Sequence, residues 1–563
     1  MSLTQTPRIE GVMSAYSNIH ASVQLDSVIA STHMYINKST PQDACALLIR
    51  GGKIVARVPY AQAALYKDEA RRYIDVGDAF VCPGFHDAHQ HVFHTAVFPS
   101  RIATSYCGKN ELDCARHLRE FAATIPNQHW VLGQGYRNWL WDPSDVPTKA
   151  TLDEAIPHRP VAMYAGDCHN LWLNSCALSE LGITRDTQPC AGGIIERDED
   201  GNPTGVLREA AAMMYAARIF SSISATTLKD IYKSYFEHML AQGVTSVCDM
   251  ALSPLEGADC VREDIFESLE QDGALTLRVH LYPQLVQNLD RILNLRARLL
   301  GPRLRACGMK QFFDGVSSAH TAWLQKPYAN PYFPGDCGRP TIQPERMKEL
   351  VNNALSQHIA VRIHAIGDKS VHVALGIIRD AQCAYGLPLH GRNSLEHLEN
   401  LYYDDAVQLA RLGVVASVQP QHATIDAAQP LRDLGQERSN FMWPFHTYNK
   451  LGVHMAFGTD APCSTSDSRQ VLSCAVTRSD AFTREPQGGF IPSEKISIVD
   501  AIDAYTRGSA YVTGRESELG TLDVGKYADL FVSNQNLLTL DPYAFQDVRV
   551  RATFLAGRCV WEA

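Results

Sequence analysis

The sequence predicts an α/β protein: a (β/α)8 TIM-like barrel with a small β-sandwich built from both chain ends and a large insertion after the first barrel strand. Three observations predict it. The middle of the chain alternates β-type runs with helix-period runs, the pattern of a parallel barrel. Both ends consist instead of short β-type runs with glycine turns. About 150 residues separate the first barrel strand from the second, far more than one crossover needs. The chain has 563 residues. One compact core rarely exceeds about 250–300 residues, so an elaborated barrel accounts for the length.

Taken in order, residues 1 to about 20 are polar and mixed and read as a loose arm. SVIAST (27–32), CALLIRGGKIVARV (45–58) and AFVCPG (79–84) read as strands, with Gly51-Gly52 as a hairpin turn. GTLDVGKYADLFVSN (520–534) and VRATFLAGRCVWEA (550–563) match them in style at the other end. Residues 1–82 and 511–563 are therefore assigned to the sandwich and 83–510 to the barrel, with the insertion at about 110–235. The eight barrel strands are read in FVCPGFHDAHQH (80–91), TSVCDM (245–250), LRVHLYP (277–283), MKQFFDG (309–315), AVRIHAIGD (360–368), NSLEHLE (393–399), VVASVQPQH (414–422) and HMAFGTDAP (454–462). Helical patterns such as PERMKELVNNALSQH (344–358) lie between them. The insertion is rich in aromatics, including Trp130, Tyr136, Trp139, Trp141 and Trp172. Insertions after a barrel strand sit at the catalytic end, so Trp139 is a candidate substrate contact.

Composition excludes several classes. No basic run accompanies the net charge of −10, which argues against nucleic acid. The 15 cysteines are scattered without a C-x-x-C pair, which argues against a disulfide framework and for a reducing compartment. The first residues lack the pattern of a secretory signal, and no apolar run of about 18 residues exists. The expected setting is cytoplasmic, the expected partner a small-molecule substrate, and the base rate for soluble enzymes favours a homodimer. No G-x-S-x-G elbow or P-loop occurs, and GQGYRN (133–138) lacks the third glycine of a dinucleotide fingerprint.

The chemistry-bearing residues fall at strand ends. His89 and His91 are two apart on a strand and so face the same way, able to meet one metal ion. His364, His397 and Asp460 end the fifth, sixth and eighth strand-like runs. Barrel active sites gather at that face. Lys310 lies inside an apolar strand, where a cation is costly. It loses its charge, pairs with Asp314, or reacts with CO₂ to give a carbamate able to bridge two metals.

PGFHDAHQH, MKQFFDG, RIHAIGD, LEHLEN and GTDAP together resemble the amidohydrolase superfamily. WVLGQGYRNWLW, RPVAMYAGDCHNLWLNSCAL, GGIIERDEDGNPTGVLREAA and GTLDVGKYADLFV extend the likeness to the large-insertion branch that includes N-substituted formamide deformylases. The resemblance implies a hydrolase in which divalent metal, zinc first, activates water against an amide-like C–N bond. It implies His89, His91 and Asp460 at a first metal, His364 and His397 at a second, and carboxylated Lys310 between them, with Glu209 a rival for the Lys310 role. Asp460 is the expected general base and acid, and His422 the expected polarising group on the substrate carbonyl. His169 and Gln419 are candidate substrate contacts. Asp87, Asp368 and Glu396 are candidates to orient ligating histidines. Cys463, after TDAP, and Cys168, before His169, depart from the family pattern. Deaminase or decarboxylase chemistry on the same fold remains the alternative, and a non-catalytic scaffold a remote one.

Overall fold

Eight parallel strands close around the middle of the chain. In the computed structural model, which describes residues 24–253 and 255–563, they are β1 (Phe85–Gln90), β2 (Val244–Met250), β3 (Arg278–Tyr282), β4 (Gly308–Phe312), β5 (Ala360–Ala365), β6 (Ser394–His397), β7 (Val415–Val418) and β8 (Met455–Phe457). Ladders join β1 to β2, β2 to β3, and β4 through β8 in sequence. A short stretch, Leu304–Ala306, pairs with β3 ahead of β4. Single bridges finish the circle, Gln284 to Lys310 between β3 and β4 and Gln90 to Ala461 between β8 and β1. Every residue of these eight strands is buried. That double-sided burial is why strands such as β3, β7 and β8 lack an exposed polar face, and why the polar residues of β1, β4 and β6 lie inside the molecule. Helices follow the strands, among them Pro344–Ser356 after β4 and Asp368–Tyr385 after β5. The arm expected for residues 1 to about 20 lies outside the described residues.

One expected strand divides in two. FVCPGFHDAHQH reads as a single run, but Phe80–Pro83 joins the terminal sheet and Phe85–Gln90 the barrel. The break falls at Gly84, which has no room for a side chain: a Cβ there would lie 2.1 Å from Thr245 Oγ1. Pro83 has no N–H for a ladder, so the two residues turn the chain from one sheet to the other.

The terminal strands form one continuous eight-stranded sheet that draws on both chain ends. Its central strand, Ser27–Met34, alternates as a two-sided strand must: Val28 and Ala30 join an apolar cluster on one face, Ile29 a different one with Leu47, Val81 and Leu530. Gly51 and Gly52 have φ of 60° and 74°, the left-handed pair a two-residue hairpin requires. A buried ion pair, Arg278 Nε to Asp529 Oδ2 at 2.5 Å with Nη2 to Oδ1 at 2.8 Å, ties this sheet to β3.

Between β1 and β2 lies a six-stranded sheet, ordered 193–197, 203–209, 170–173, 161–165, 131–136, 103–105. It carries its own apolar cluster, including Tyr136, Trp141 and Trp172. No helix among the described residues is long and apolar enough to cross a membrane.

Candidate metal centre

The C-terminal ends of the barrel strands bring His89, His91, His397, His422 and Asp460 together. His89 Nε2 lies 3.4 Å and His91 Nε2 3.1 Å from Asp460 Oδ1. Asp460 Oδ2 lies 3.5 Å from His422 Nε2 and 3.9 Å from His397 Nδ1. His89, His397 and Asp460 each offer a ligand atom within 4.8 Å of the others, all buried. The His364 ring sits 4.5 Å from that of His397. Asp460 has a φ of 55°, the left-handed region, where the chain leaves β8.

Each of four imidazoles uses one nitrogen on a protein acceptor. His89 Nδ1 pairs with Glu396 Oε2 (2.6 Å), His91 Nδ1 with Met250 O (2.8 Å), His397 Nδ1 with Gln419 Oε1 (2.9 Å) and His364 Nε2 with Gly315 O (3.1 Å). An acceptor at one nitrogen fixes the tautomer and leaves the lone pair of the other free, the arrangement a metal needs. Burial, then the Lys310 charge, lowers the His89 pKa to about 3, and burial holds His364 and His397 well below their ordinary value. These imidazoles are neutral. Burial alone would raise the Asp460 pKa, but His91 and His422 beside it hold it well below the usual carboxylate range.

The polar atoms left over point to a cation. His89 Nε2, His422 Nε2, Asp460 Oδ1 and Lys310 Nζ are buried without a hydrogen-bond partner. Unpaired buried polar atoms of this kind are costly, and three neutral-histidine donors with a carboxylate suit zinc or a similar ion. Burial lowers the Lys310 pKa to about 8. Lys310 does not pair with Asp314. That carboxylate accepts instead from the backbone of Trp323, Ile366 and Gly367.

The structure separates the remaining sequence candidates. Glu396 orients His89 and is itself gripped by Arg362 (Nε 2.9 Å, Nη2 3.0 Å) and Ser394. Asp87 reaches no imidazole; it accepts from the His89 and Thr459 amides, the Thr459 hydroxyl and Gln90, and so fastens β1 to the end of β8. Asp368 accepts from the Gln325 amide at the start of its helix rather than from a histidine. Gln419 is fully buried behind His397 and is not on the cleft wall, so it orients an imidazole rather than contacting substrate. Glu209 spends its oxygens on His169 Nδ1 (2.7 Å) and Thr321 Oγ1 (2.8 Å), away from the Lys310 position. Sequence reasoning missed Arg362. Its signal was a charged residue two before His364 in an apolar strand.

A cleft holding about 110 Å³ of open space lies over the cluster. His91, His364, His397, His422 and Asp460 form its polar end, and Trp139, Leu252, Phe312, Ile366, Met442 and Trp443 much of its apolar wall. His169, Arg137 and Trp139 reach it from the insertion.

A second group of potential donors, His86, Cys248 and His280, is buried near the other end of β1 to β3. There His280 Nε2 accepts from Arg515 Nη1 (3.3 Å), and beyond burial the Arg515 and Arg278 charges depress both imidazole pKa values. That guanidinium-rich setting repels a cation.

A sequence model of the amidohydrolase family matches residues 72–561. The chain belongs to the amidohydrolase family. It is 26% identical over 552 residues to N-substituted formamide deformylase of Arthrobacter pascens, covering 91% of this chain and 94% of that one. It is 26% identical over 550 residues to Protein LONG AFTER FAR-RED 3 of Arabidopsis thaliana, covering 96% and 92%. It shares its fold, at a TM-score of 0.73 and 24% identity, with an uncharacterized metal-dependent hydrolase from Pyrococcus horikoshii, covering 92% of this amidohydrolase and 99% of that chain.

Proposed function

We propose that this amidohydrolase cleaves an amide-like C–N bond, of the N-acyl or N-formyl amide type, with one or two divalent ions, zinc first. The observation that carries the reading is the set of four imidazoles, each fixed by an acceptor at one nitrogen, beside a buried carboxylate with an unpartnered oxygen. His89, His91, His397 and Asp460 would hold one ion, with His364 and a carboxylated Lys310 able to take a second. A bound divalent ion supplies Lewis acidity and an activated water.

The chain's own residues do the rest. Asp460, kept ionised by its histidine neighbours, accepts the proton of the attacking water and returns it to the leaving nitrogen. His422, on the cleft wall beside Asp460, donates to the substrate carbonyl oxygen as charge develops. The apolar wall receives a bulky substituent and excludes water from the polar end. The relative named as an N-substituted formamide deformylase supports a small acyl group with a larger N-substituent.

The test is metal content per chain on purified protein beside a His89→Ala variant, followed by an amine-release screen of N-formyl and N-acyl amides. One to two equivalents of metal, reduced in the variant, with turnover of an amide is the expected result. No metal after reconstitution with zinc, manganese and bicarbonate would overturn the proposal.

A further inference from the structure

A second cavity, holding about 830 Å³ of open space, lies against the loop that follows Asp460. That volume falls within the roughly 300–1,000 Å³ of small-molecule sites. Its wall comes from around the inserted sheet (Arg101, Gln134, Arg137), from the helix Ala225–Leu240 that leads into β2, and from the loop itself. Arg137 lines both this cavity and the cleft over the metal centre. Four side chains on the cavity wall fasten the loop by its carbonyls. Ser464 Oγ donates to Thr459 O (2.5 Å), Thr95 Oγ1 to Ala461 O (2.6 Å), Gln134 Nε2 to Pro462 O (3.4 Å) and Arg137 Nη2 to Cys463 O (2.9 Å). Asp460 stands inside that run of tethered carbonyls.

The charge in this cavity is unbalanced. Arg101, Arg137 and Asp230 are its charged side chains, and Asp230 already lies 3.5 Å from Lys233 Nζ. Burial lowers the His238 pKa and leaves that imidazole uncharged. Among the described residues neither guanidinium pairs with a carboxylate. Arg137 is nevertheless held in place. The Cys463 carbonyl takes one of its N–H groups, the Trp139 ring lies 5.9 Å away, and Gly166 makes room for it: a Cβ there would stand 2.8 Å from Arg137 Nε. A fixed guanidinium with unused donors matches the fork of a carboxylate. Ala96, Ile231, Tyr235 and Pro462 give the same cavity an apolar side, which suits a ligand with a hydrocarbon or aromatic body.

We propose that the second cavity binds an organic carboxylate with an apolar body, held by Arg137 and Arg101, and that its occupation loosens the Asp460 loop. Hydrogen bonds between ionised partners are roughly twice as strong as neutral ones. A bound carboxylate therefore competes with the Cys463 carbonyl for the Arg137 guanidinium. The Cys463 amide donates to the Asp460 carbonyl at 2.8 Å, so a change at Cys463 reaches Asp460 directly. The apolar body separates this ligand from formate, the small acid that cleavage of a formyl amide would release.

The experiment irradiates the metal-loaded full chain with a benzoate carrying a trifluoromethyl-diazirine ring and maps the labelled peptides by mass spectrometry. The expected label falls in the helix Ala225–Leu240 and in residues 95–107, and excess benzoate protects both. Labelling should drop severalfold in Arg101→Gln and in Arg137→Gln. Ser234 is exposed on the helix and lines this cavity but not the cleft, so Ser234→Trp should fold, fill the space and cut the label as well. Label confined to cleft peptides such as those holding Leu252 or Met442, or undiminished label in all three variants, would overturn the site. Protection by formate or inorganic phosphate equal to that by benzoate would overturn the ligand class. Hydrogen exchange reads the coupling: the amides of residues 460, 461, 463 and 464 should exchange severalfold faster with benzoate bound, and an unchanged rate would overturn the link to Asp460. Neither readout depends on amide turnover, so failure here and failure of the hydrolase reading are distinguishable.

Discussion

Removing the Glu396 carboxylate should cost the protein twice, in two separable ways. Glu396 and Arg362 have fully buried side chains, paired at 2.9 Å and 3.0 Å, and Glu396 also holds His89 Nδ1 at 2.6 Å. Glu396→Leu leaves the Arg362 guanidinium buried without its counter-charge, a change worth about 3–5 kcal/mol. It also frees the His89 ring, and loss of such an orienting partner lowers metal affinity about 10–100-fold, roughly 1.4–2.7 kcal/mol. The double variant Glu396→Leu/Arg362→Met separates the two effects. Replacing both members of a buried pair with apolar groups is often close to neutral, so stability of the metal-free chain should recover to within about 1 kcal/mol of the parent. Metal affinity should not recover. Arg362→Met alone should show the reverse balance, destabilised but still binding metal, because Glu396 keeps its hold on His89. Chemical denaturation of the apoprotein and competition against a chromophoric chelator read the two quantities. A double variant with parental metal affinity would show that Glu396 merely neutralises Arg362, and the orienting role would be lost.

Three other outcomes follow from the same geometry. Bicarbonate-dependent metal uptake by the apoprotein should rise steeply from pH 6 to pH 8, because the Lys310 pKa is about 8 and only the neutral amine reacts with CO₂; uptake by Lys310→Met should be insensitive to bicarbonate at every pH. Asp529→Ala should destabilise the chain by about 3–5 kcal/mol in denaturation by stranding the buried Arg278, while leaving metal affinity unchanged. Burial alone would lower the His169 pKa, but Glu209 outweighs it and raises it from 6.5 to about 9, a shift equivalent to roughly 3 kcal/mol. The folded pKa lies above the unfolded one, so this stabilisation is complete below pH 6.5 and fades as pH climbs through about 9; stability curves of Glu209→Gln should lack that alkaline decline.

What the sequence disclosed about the site, and what it hid, follows from the layering of a barrel interior. A strand rises about 3.3 Å per residue, so a residue two before a ligand faces the same interior but lies about 6.6 Å deeper. Asp87 stands in that relation to His89 and Arg362 to His364. At that depth Asp87 meets the amides of β1 and Thr459 rather than an imidazole, which is why sequence proximity misassigned it. Arg362 at the same depth meets Glu396, a contact between two strands that no spacing within one strand reveals. Glu396 and His397 are adjacent, so strict alternation would send one of them outward. Both reach the site because His397 has a φ of 74°, which ends the alternation at the strand terminus. The same exit rule divides Gln419 from His422: β7 stops at Val418, Pro420 turns the chain, Gln419 falls behind His397 and His422 swings onto the cleft wall. The strands themselves were legible because short β-type runs, most of them apolar before their C-terminal ends, alternate regularly with helix-period runs. The division at Gly84 stayed hidden because two buried strands of different sheets run end to end there and only Pro83-Gly84 marks the join. Sequence therefore locates the candidate ligands, which sit at strand ends. It locates the groups that aim them only in part: Glu396, beside a strand-end histidine, is legible and holds His89, whereas Arg362 and Gln419 take their roles from which strand stands beside which at a given depth.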